Sequence, residues 1–436
     1  MNHHVSIYAN NSYEGSSQPA SLPMRNALPD SADIVVKHHS LCGLINIGNT
    51  CYMDAVLQIL AHIDPFTEYI LKKEFTHDIV ENIKKKLEKE IESPEYDQKI
   101  IMMGTNSMTI QLYKLFTDML RNNAIAPHQF KMLLSRKNET FAGHAQNDSH
   151  DLMTYLLDII HEETKLTIDV PHDSLPSSFH MMNTMIIKYQ YMINSTDDPE
   201  KKNRLAAEFN NFLVANRRSA VEYMGVSQWA NYVKNNYSVI TRHFTGAFNS
   251  HIVCRECGSS NYKFDTFTSI SLAIPLEKQD ITVYDCIDKF IQRETLDGDN
   301  MYSCNICNKK CVADKKLSLW NVPNIVIIQL KRFINIKHPS GNIVISKINI
   351  PIKYYETLNF CGYMHEYRQC GQYDLIGVIH HYGNYGSGHY VSFSKVNDDW
   401  YLFNDASVSK IEKMKFNDSV MTDASYILVY KLHDSS

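Results

Sequence analysis

Several features are scarce in this 436-residue chain, and each scarcity removes a class of function. No apolar run approaches the ~20 residues a helix needs to cross a bilayer. The first twenty residues, MNHHVSIYANNSYEGSSQPA, lack the charged-then-apolar order of a secretory signal, so a cytoplasmic or nuclear location is expected. Positive charge is not in excess. The 43 Lys and Arg stand against 48 Asp and Glu, for a formal net charge of −5. That balance gives no global reason to expect nucleic acid or an anionic membrane as a partner. No internal repeat is visible. The length allows one large or two modest domains with a sizeable core.

What is present in quantity is cysteine, with ten residues at 42, 51, 254, 257, 286, 304, 307, 311, 361 and 370. In a reducing compartment these are expected to be thiols, metal ligands or a nucleophile and not a disulfide framework. Four of them form two C-x2-C pairs, Cys254 and Cys257 in CREC, and Cys304 and Cys307 in CNIC. Two such pairs can give four thiolates to a tetrahedral Zn²⁺, and a full protein shell leaves no open position for catalytic water. The alternative is two pairs of thiols without metal. The gap between the pairs is too long for a compact zinc ribbon and fits knuckles at the tips of longer strands. Cys311, four residues past Cys307, is a possible substitute ligand.

Along the chain, residues 1 to about 38 are polar, with scattered Ser, Asn and Pro, and read as a disordered tail. From Cys51 to about Glu163 the pattern is helical. DIVENIKKKLEKEIES sets Ile79, Val80, Ile83, Leu87 and Ile91 on one face, with Lys and Glu opposite as a solvated surface. MTIQLYKLFTDMLRN and HDLMTYLLDIIHEE carry similar stripes, whose Met and aromatic residues read as core. Residues 164 to about 240 contain one clear helix start, Asp198 before Pro199, and no recognisable chemistry. From Phe244 onward, FTSISLAIP, NIVIIQLKRF, DLIGVIHHYG, HYVSFSKV and SYILVYKL read as strands. Helices first and strands later argue an α+β fold with the two halves packed together.

Cys51 stands apart from the other cysteines in GLINIGNTCYMDAVLQIL. Asn46, Gly48, Asn49 and Thr50 read as turn and cap residues, and Tyr52, Val56, Ile59, Leu60 and Ile63 recur at helical spacing. A cysteine at a helix N-terminus meets unpaired backbone N–H groups, which favour its thiolate. The stretch alone leaves two readings, a nucleophile or a buried space-filler. A nucleophile requires a histidine held by a third group. Twenty histidines are present, and YGSGHYVSFSKVNDDWYLFND singles out His389, with glycines before it and a strand after it. A two-residue turn at Asn397-Asp398 places Val391 opposite Asn404. His389 is then diagonal to Asn404 on the same face, within side-chain reach, and Asp405 points to the other face. An odd-length turn reverses that choice, and Asn404-Asp405 as an ordinary turn is the plain alternative. An Asn so placed accepts from the imidazole N–H and fixes its tautomer without supplying a full charge.

These segments, with QNDSHDLMTYLLDIIHEE and NVPNIVIIQLKRF, resemble the boxes of the ubiquitin-specific proteases, papain-like cysteine deubiquitinases, in the family's order from about Leu41 to Leu432. The resemblance implies a helical thumb (about 41–163), an insert (about 164–240), and β-fingers bearing zinc with a β-sheet palm (about 241–436). It implies Cys51 as nucleophile, His389 as general base, Asn404 as third triad member and Asn46 as oxyanion-hole residue. Asp148, His381 and Gly388 match substrate-binding positions, and the ubiquitin tail would run between thumb and palm. Asn147 and Asp151 replace the usual Gln and Glu, and the 164–240 stretch exceeds the family minimum. The implied activity is hydrolysis of the isopeptide or peptide bond after the C-terminal glycine of ubiquitin by a monomer. Its partners would be ubiquitin and ubiquitinated proteins, with neither nucleic acid nor membrane. The rivals are an inactive ubiquitin-binding scaffold, a protease for another ubiquitin-like modifier, and a nucleic-acid-binding zinc protein. The last is disfavoured by the acidic balance and the lack of a dense basic-aromatic patch.

Overall fold

The computed structural model describes residues 40–88, 95–170, 175–337, 343–365, 371–384 and 386–433. The expected tail, Ile91 and Cys370 lie outside the described residues. Helices dominate to His243 and strands follow from Gly246, so the chain is a mixed helix-and-sheet fold in the expected order. Among the described residues, no helix is long and apolar enough to cross a membrane.

The helix Cys51–Ala61 is buried at every position, which marks a core helix and not an amphipathic surface one. It packs on the strand Ser387–Val396, so the first helix of the fold lies directly on the sheet. Around it, the stripes read from the sequence become core. Ile79, Val80, Ile83 and Leu87 are buried, as are Met108, Tyr113, Phe116 and Met119, and Leu152, Met153, Leu156, Leu157 and Ile160. At roughly 1.5–3 kcal/mol for each large apolar side chain removed from water, this cluster is the main force seating the helices. A polar contact orients two of them. Glu163, near the end of helix Ser149–Thr164, accepts the Met108 and Thr109 amides at 2.9 and 3.0 Å, capping the helix Met108–Met119.

The main sheet has eight strands. Its path runs Ser407–Ile411, Asp399–Asn404, Ser387–Val396, Gln372–Asn384, Ser425–Leu432, Ile325–Lys331 and Ile270–Ala273, with Thr357–Asn359 beside Gln372–Asn384. Only the last pair of the path is parallel. Alternation sorts its side chains to two faces. Ile325, Ile327, Ile427 and Val429 join the helical core, whereas Val326, Ile328, Leu428 and Tyr430 join a second core on the far side. A sheet buried on both faces is a rigid platform, and its Ser387–Val396 strand carries His389.

A second sheet of four strands, ordered Ser260–Phe267, Gly246–Cys254, Ala313–Asn321 and Glu294–Leu296, leads to a two-stranded ribbon, Tyr302–Cys304 with Lys309–Cys311. Both C-x2-C pairs lie where these strands end. Between the helical half and this sheet stand three helices, Ser177–Asn194, Pro199–Ala215 and Arg217–Asn235. The middle one starts as its sequence indicates, with the Asp198 carboxylate accepting the Glu200 amide at 2.9 Å. Leu166 and Tyr237 pair antiparallel, so the excursion leaves and rejoins the fold at one place. Cys361 departs from the expectation of thiols, metal ligands or a nucleophile: exposed at the start of a short helical turn, it is disulfide-bonded.

Candidate active site

Cys51 is the first residue of its helix, and the turn before it is shaped by Asn46. The Asn46 side-chain oxygen accepts the Gly48 and Thr50 amides, both at 3.1 Å, closing the turn in which Gly48 and Asn49 take φ of 116° and 54°. A left-handed residue is cheap for Gly and tolerable for Asn, which explains the Gly-Asn pair. Thr50 precedes the helix but does not cap it through its hydroxyl. Its φ and ψ of −91° and 9° are not extended, and the hydroxyl accepts the Ile47 amide at 3.0 Å instead.

The hairpin after His389 has the geometry its sequence foretells. Asn397 and Asp398 both have positive φ, 48° and 68°, the signature of a two-residue turn matched to strand twist. Val396 faces Asp399 and Ser392 faces Phe403. One step further along, His389 Nε2 lies 2.7 Å from Asn404 Oδ1. The tautomer with hydrogen on Nε2 donates to that oxygen and leaves Nδ1 for Cys51. The hydrogen bond with Cys51 is the largest influence on the ring. With help from Asn404 and against partial burial, it lifts the His389 pKa to about 9. An imidazole so raised carries its proton at neutral pH. Asp405 turns away from the imidazole and accepts the Asn46 amide N–H at 3.2 Å.

Cys51, His389 and Asn404 are thus brought together from three separate segments, and Asn46 joins them through Asp405. The remaining expected residues have other surroundings. Asp148 precedes the helix Ser149–Thr164 and caps it, accepting the His150 amide at 2.7 Å. Its other oxygen accepts the Tyr426 hydroxyl at 2.5 Å, and burial raises its pKa. His381 is buried, edge-on to Phe333 and tilted against Tyr390, and burial lowers its pKa to about 4, so the ring is neutral. Gly388 is needed by that packing, because a Cβ there would stand 2.1 Å from His381 Nε2.

Three residues escaped the sequence reading. Gln146 reaches from the helical half to the strand carrying His389. Its oxygen accepts the Gly388 amide at 2.7 Å and its nitrogen donates to the Gly388 carbonyl. Asp54, one turn into the Cys51 helix, is buried, and burial beside Asp405 holds its carboxyl well above the usual range. Asp405, expected only on the face away from the imidazole, is the third, as the acceptor of the Asn46 amide N–H. An acid at the fourth position of a helix otherwise apolar but for Gln58 is the available signal for Asp54. Gln146 opens the box QNDSHDL, but nothing local points to its partner.

At the ribbon, Cys254, Cys257, Cys304 and Cys307 set four sulfurs within 4.8 Å of one another, a donor set that can hold a metal ion. Each pair is followed by a left-handed residue, Gly258 with φ 68° and Asn308 with φ 54°, which folds the chain back over its sulfurs. The Cys307 amide lies 3.4 Å from the Cys304 sulfur. Four soft thiols, two of them fully or nearly buried, fit zinc.

A thiol at a helix start, an imidazole beside it and an amide oxygen behind that imidazole define a thiol hydrolase of the papain-like class. The family model described as ubiquitin carboxyl-terminal hydrolase matches residues 42–430, and the chain belongs to that family. It is accordingly a deubiquitinase, a cysteine-type ubiquitinyl hydrolase. It is 28% identical over 432 residues to the probable ubiquitin carboxyl-terminal hydrolase R319 of Acanthamoeba polyphaga mimivirus, covering 90% of each chain. To ubiquitin carboxyl-terminal hydrolase 2 of Bos taurus it is 26% identical over 399 residues, 90% of this chain and 55% of that one. In fold it is similar to the SAGA Ubp8/Sgf11/Sus1/Sgf73 DUB module bound to ubiquitin aldehyde, with a TM-score of 0.60, 22% identity, and coverage of 92% of this chain and 70% of that one.

Proposed function

We propose that Cys51 is the nucleophile that cleaves the bond after the C-terminal glycine of ubiquitin, with His389, Asn404 and Asn46 as its partners. The Cys51 sulfur attacks the scissile carbonyl. The His389 imidazolium gives its Nδ1 proton to the departing amine, leaving a thioester on Cys51. The neutral ring then takes a proton from water, whose oxygen attacks the thioester and releases the free carboxylate. Asn404 holds the ring with Nδ1 toward the sulfur throughout. Asn46 keeps one amide N–H on Asp405, and its second N–H joins backbone donors at the oxyanion, where a donor matters most in the transition state. The observation carrying this reading is the continuous contact from Cys51 through His389 to Asn404, assembled from residues far apart in sequence.

The ubiquitin tail would pass between the helical half and the main sheet, near Asp148, His381 and Gly388. Gly388 adds no side chain there, which suits a substrate ending in glycine. Cys254, Cys257, Cys304 and Cys307 would hold a structural Zn²⁺ that ties the ribbon to the four-stranded sheet and supplies no step of the reaction. In this reading the helical half, the three-helix insert, and the fingers with palm are parts of one catalytic domain. The enzyme is monomeric, cytoplasmic or nuclear, and needs neither nucleic acid nor membrane. Turnover of a ubiquitin C-terminal fluorophore, with covalent capture by a ubiquitin C-terminal electrophile, tests it. Capture at Cys51 with turnover is expected. Ubiquitin binding without either would make the chain a receptor, and turnover only with another ubiquitin-like fluorophore would change the substrate.

A further inference from the structure

The cysteine cluster contains one more thiol than a zinc site uses. Cys311 is completely buried, and it shares a small buried cluster with Cys254 and Cys304, against which Tyr302 and Cys307 pack. Its sulfur, the Cys307 sulfur and a Glu256 carboxylate oxygen lie within 4.8 Å of one another, beside the four-thiol set. In the ribbon, Cys304 faces Lys309 and Cys311 faces Tyr302, so Cys304 and Cys311 are diagonal neighbours on one face. Its own hydrogen-bond acceptor is the Lys309 carbonyl, at 3.6 Å. Among the four paired cysteines, Cys257 is the exposed one. It touches Ser259 at 3.0 Å and Cys304 at 3.6 Å, and it is the sulfur that solvent reagents meet first.

The geometry points to a five-thiol exchange site for a thiophilic divalent cation, in which Cys311 replaces Cys257 when Cys257 is lost or modified. This rests on the reading of the cluster as a zinc site. Zinc has no d-electron preference for one geometry, so a fifth sulfur packed against the ligand set would be able to enter as another leaves. The zinc–sulfur bond to Cys257 breaks and one to Cys311 forms. The Cys311 thiol proton moves to the displaced Cys257 thiolate, or to water when Cys257 has been capped. Four thiolates hold the metal before and after. Cys254, Cys304 and Cys307 stay fixed, and the knuckle at Cys304–Cys307 is unchanged.

Native mass spectrometry of the full chain tests this. Wild type, C311S and C257S should each retain one zinc, and C257S/C311S should retain none. Cobalt(II) loaded into C257S should keep the sulfur-to-metal charge-transfer intensity of four thiolates. Zinc lost from C257S as fully as from the double variant would overturn the exchange, whereas a metal-free wild type would overturn the zinc reading itself. C257S could misfold, so the wild-type chain provides a second measurement. Zinc-loaded wild type and C311S are treated with N-ethylmaleimide until Cys257 is labelled. The labelled wild type should keep its zinc and labelled C311S should release it. Release from both would overturn the proposal.

Discussion

Cys51 and the finger-tip cysteines offer the same functional group, held in opposite ways. Cys51 begins an 11-residue helix that is buried along its whole length and lies against the strand bearing His389. Apolar packing fixes it, and it has a single imidazole as its working neighbour. The thiols of Cys254, Cys257, Cys304 and Cys307 occupy turns where strands end, with Ile306 beside them 74% exposed. Their buried cluster consists of sulfurs and one tyrosine. The first arrangement is a property of the folded core and stands without a ligand. The second crowds groups that repel when ionised, so its order depends on what neutralises them. A lone thiol beside a protonated ring is set up to attack, and four thiols together are set up to coordinate.

The sharpest way to break this contrast is to remove each sulfur in turn. Cys51→Ala should lower kcat on a ubiquitin fluorophore by about 10⁶-fold, the scale seen when a catalytic nucleophile is deleted. Melting temperature and ubiquitin binding should be nearly unchanged. Residual turnover within tenfold of wild type would remove Cys51 from the role. Cys304→Ser should do the reverse. Metal content should fall from one per chain to none, and amide protection should drop across residues 246–321 while the helical core keeps its own. Stripping zinc with a chelator should reproduce that pattern. A metal-free protein with full protection of the four-stranded sheet would show that the sulfurs are not a structural site.

The same contrast separates what the sequence disclosed from what it hid. The chemistry-bearing residues were legible because each sits in a local pattern: turn then apolar helix at Cys51, a two-residue hairpin after His389, paired spacing at the knuckles. The Asn397-Asp398 turn fixes the register arithmetically, so Asn404 and not Asp405 faces the imidazole. Gln146 was hidden because its partner Gly388 is 242 residues away and both of its hydrogen bonds are to backbone, which no side-chain pattern records. The inserted helices were hard for a different reason. Ile187, Tyr191 and Val214 are 56%, 73% and 76% exposed, so the stripe that marks a packed helix is diluted.

A smaller effect sharpens the account of the turn at Cys51. Asn46 has two functions that one substitution would confuse. Its oxygen holds the turn through Gly48 and Thr50, and its nitrogen faces Asp405. Asn46→Ser keeps a hydroxyl that can accept from the same amides but removes the amide donor. The expectation is a kcat lower by on the order of 10²–10³, with melting temperature and ubiquitin affinity little altered. Asn46→Ala should show the same kinetic loss with an added loss of stability. A large drop in melting temperature with near-normal kcat in the folded fraction would leave the oxyanion to backbone N–H groups alone.

The smallest expected effect lies in how pH acts on His389. Its folded pKa of about 9 exceeds the ordinary value of 6.5, first because of the hydrogen bond with Cys51 and then because of Asn404 and the nearby charges of Cys51 and Asp405. A raised pKa means that the folded state binds the proton more tightly than the unfolded state does. The resulting stabilisation is complete below pH 6.5 and is lost as pH rises through about 9. The ring is partly solvated, so the change in melting temperature across that window should be modest. Replacing Cys51 with Ala deletes the largest of these influences, and the ring should then titrate closer to 6.5, with the stability loss moved to lower pH. Asn404→Ala should shift the titration the same way by less. It should also narrow the pH range of kcat/KM from the alkaline side, because His389 must still hold a proton to give to the leaving amine. Following the imidazole resonances by NMR from pH 5 to about 10 checks the order of these shifts. A His389 titration that stays put when Cys51 is replaced would separate the ring's charge from the sulfur, and the contact with Cys51 would no longer explain the raised pKa.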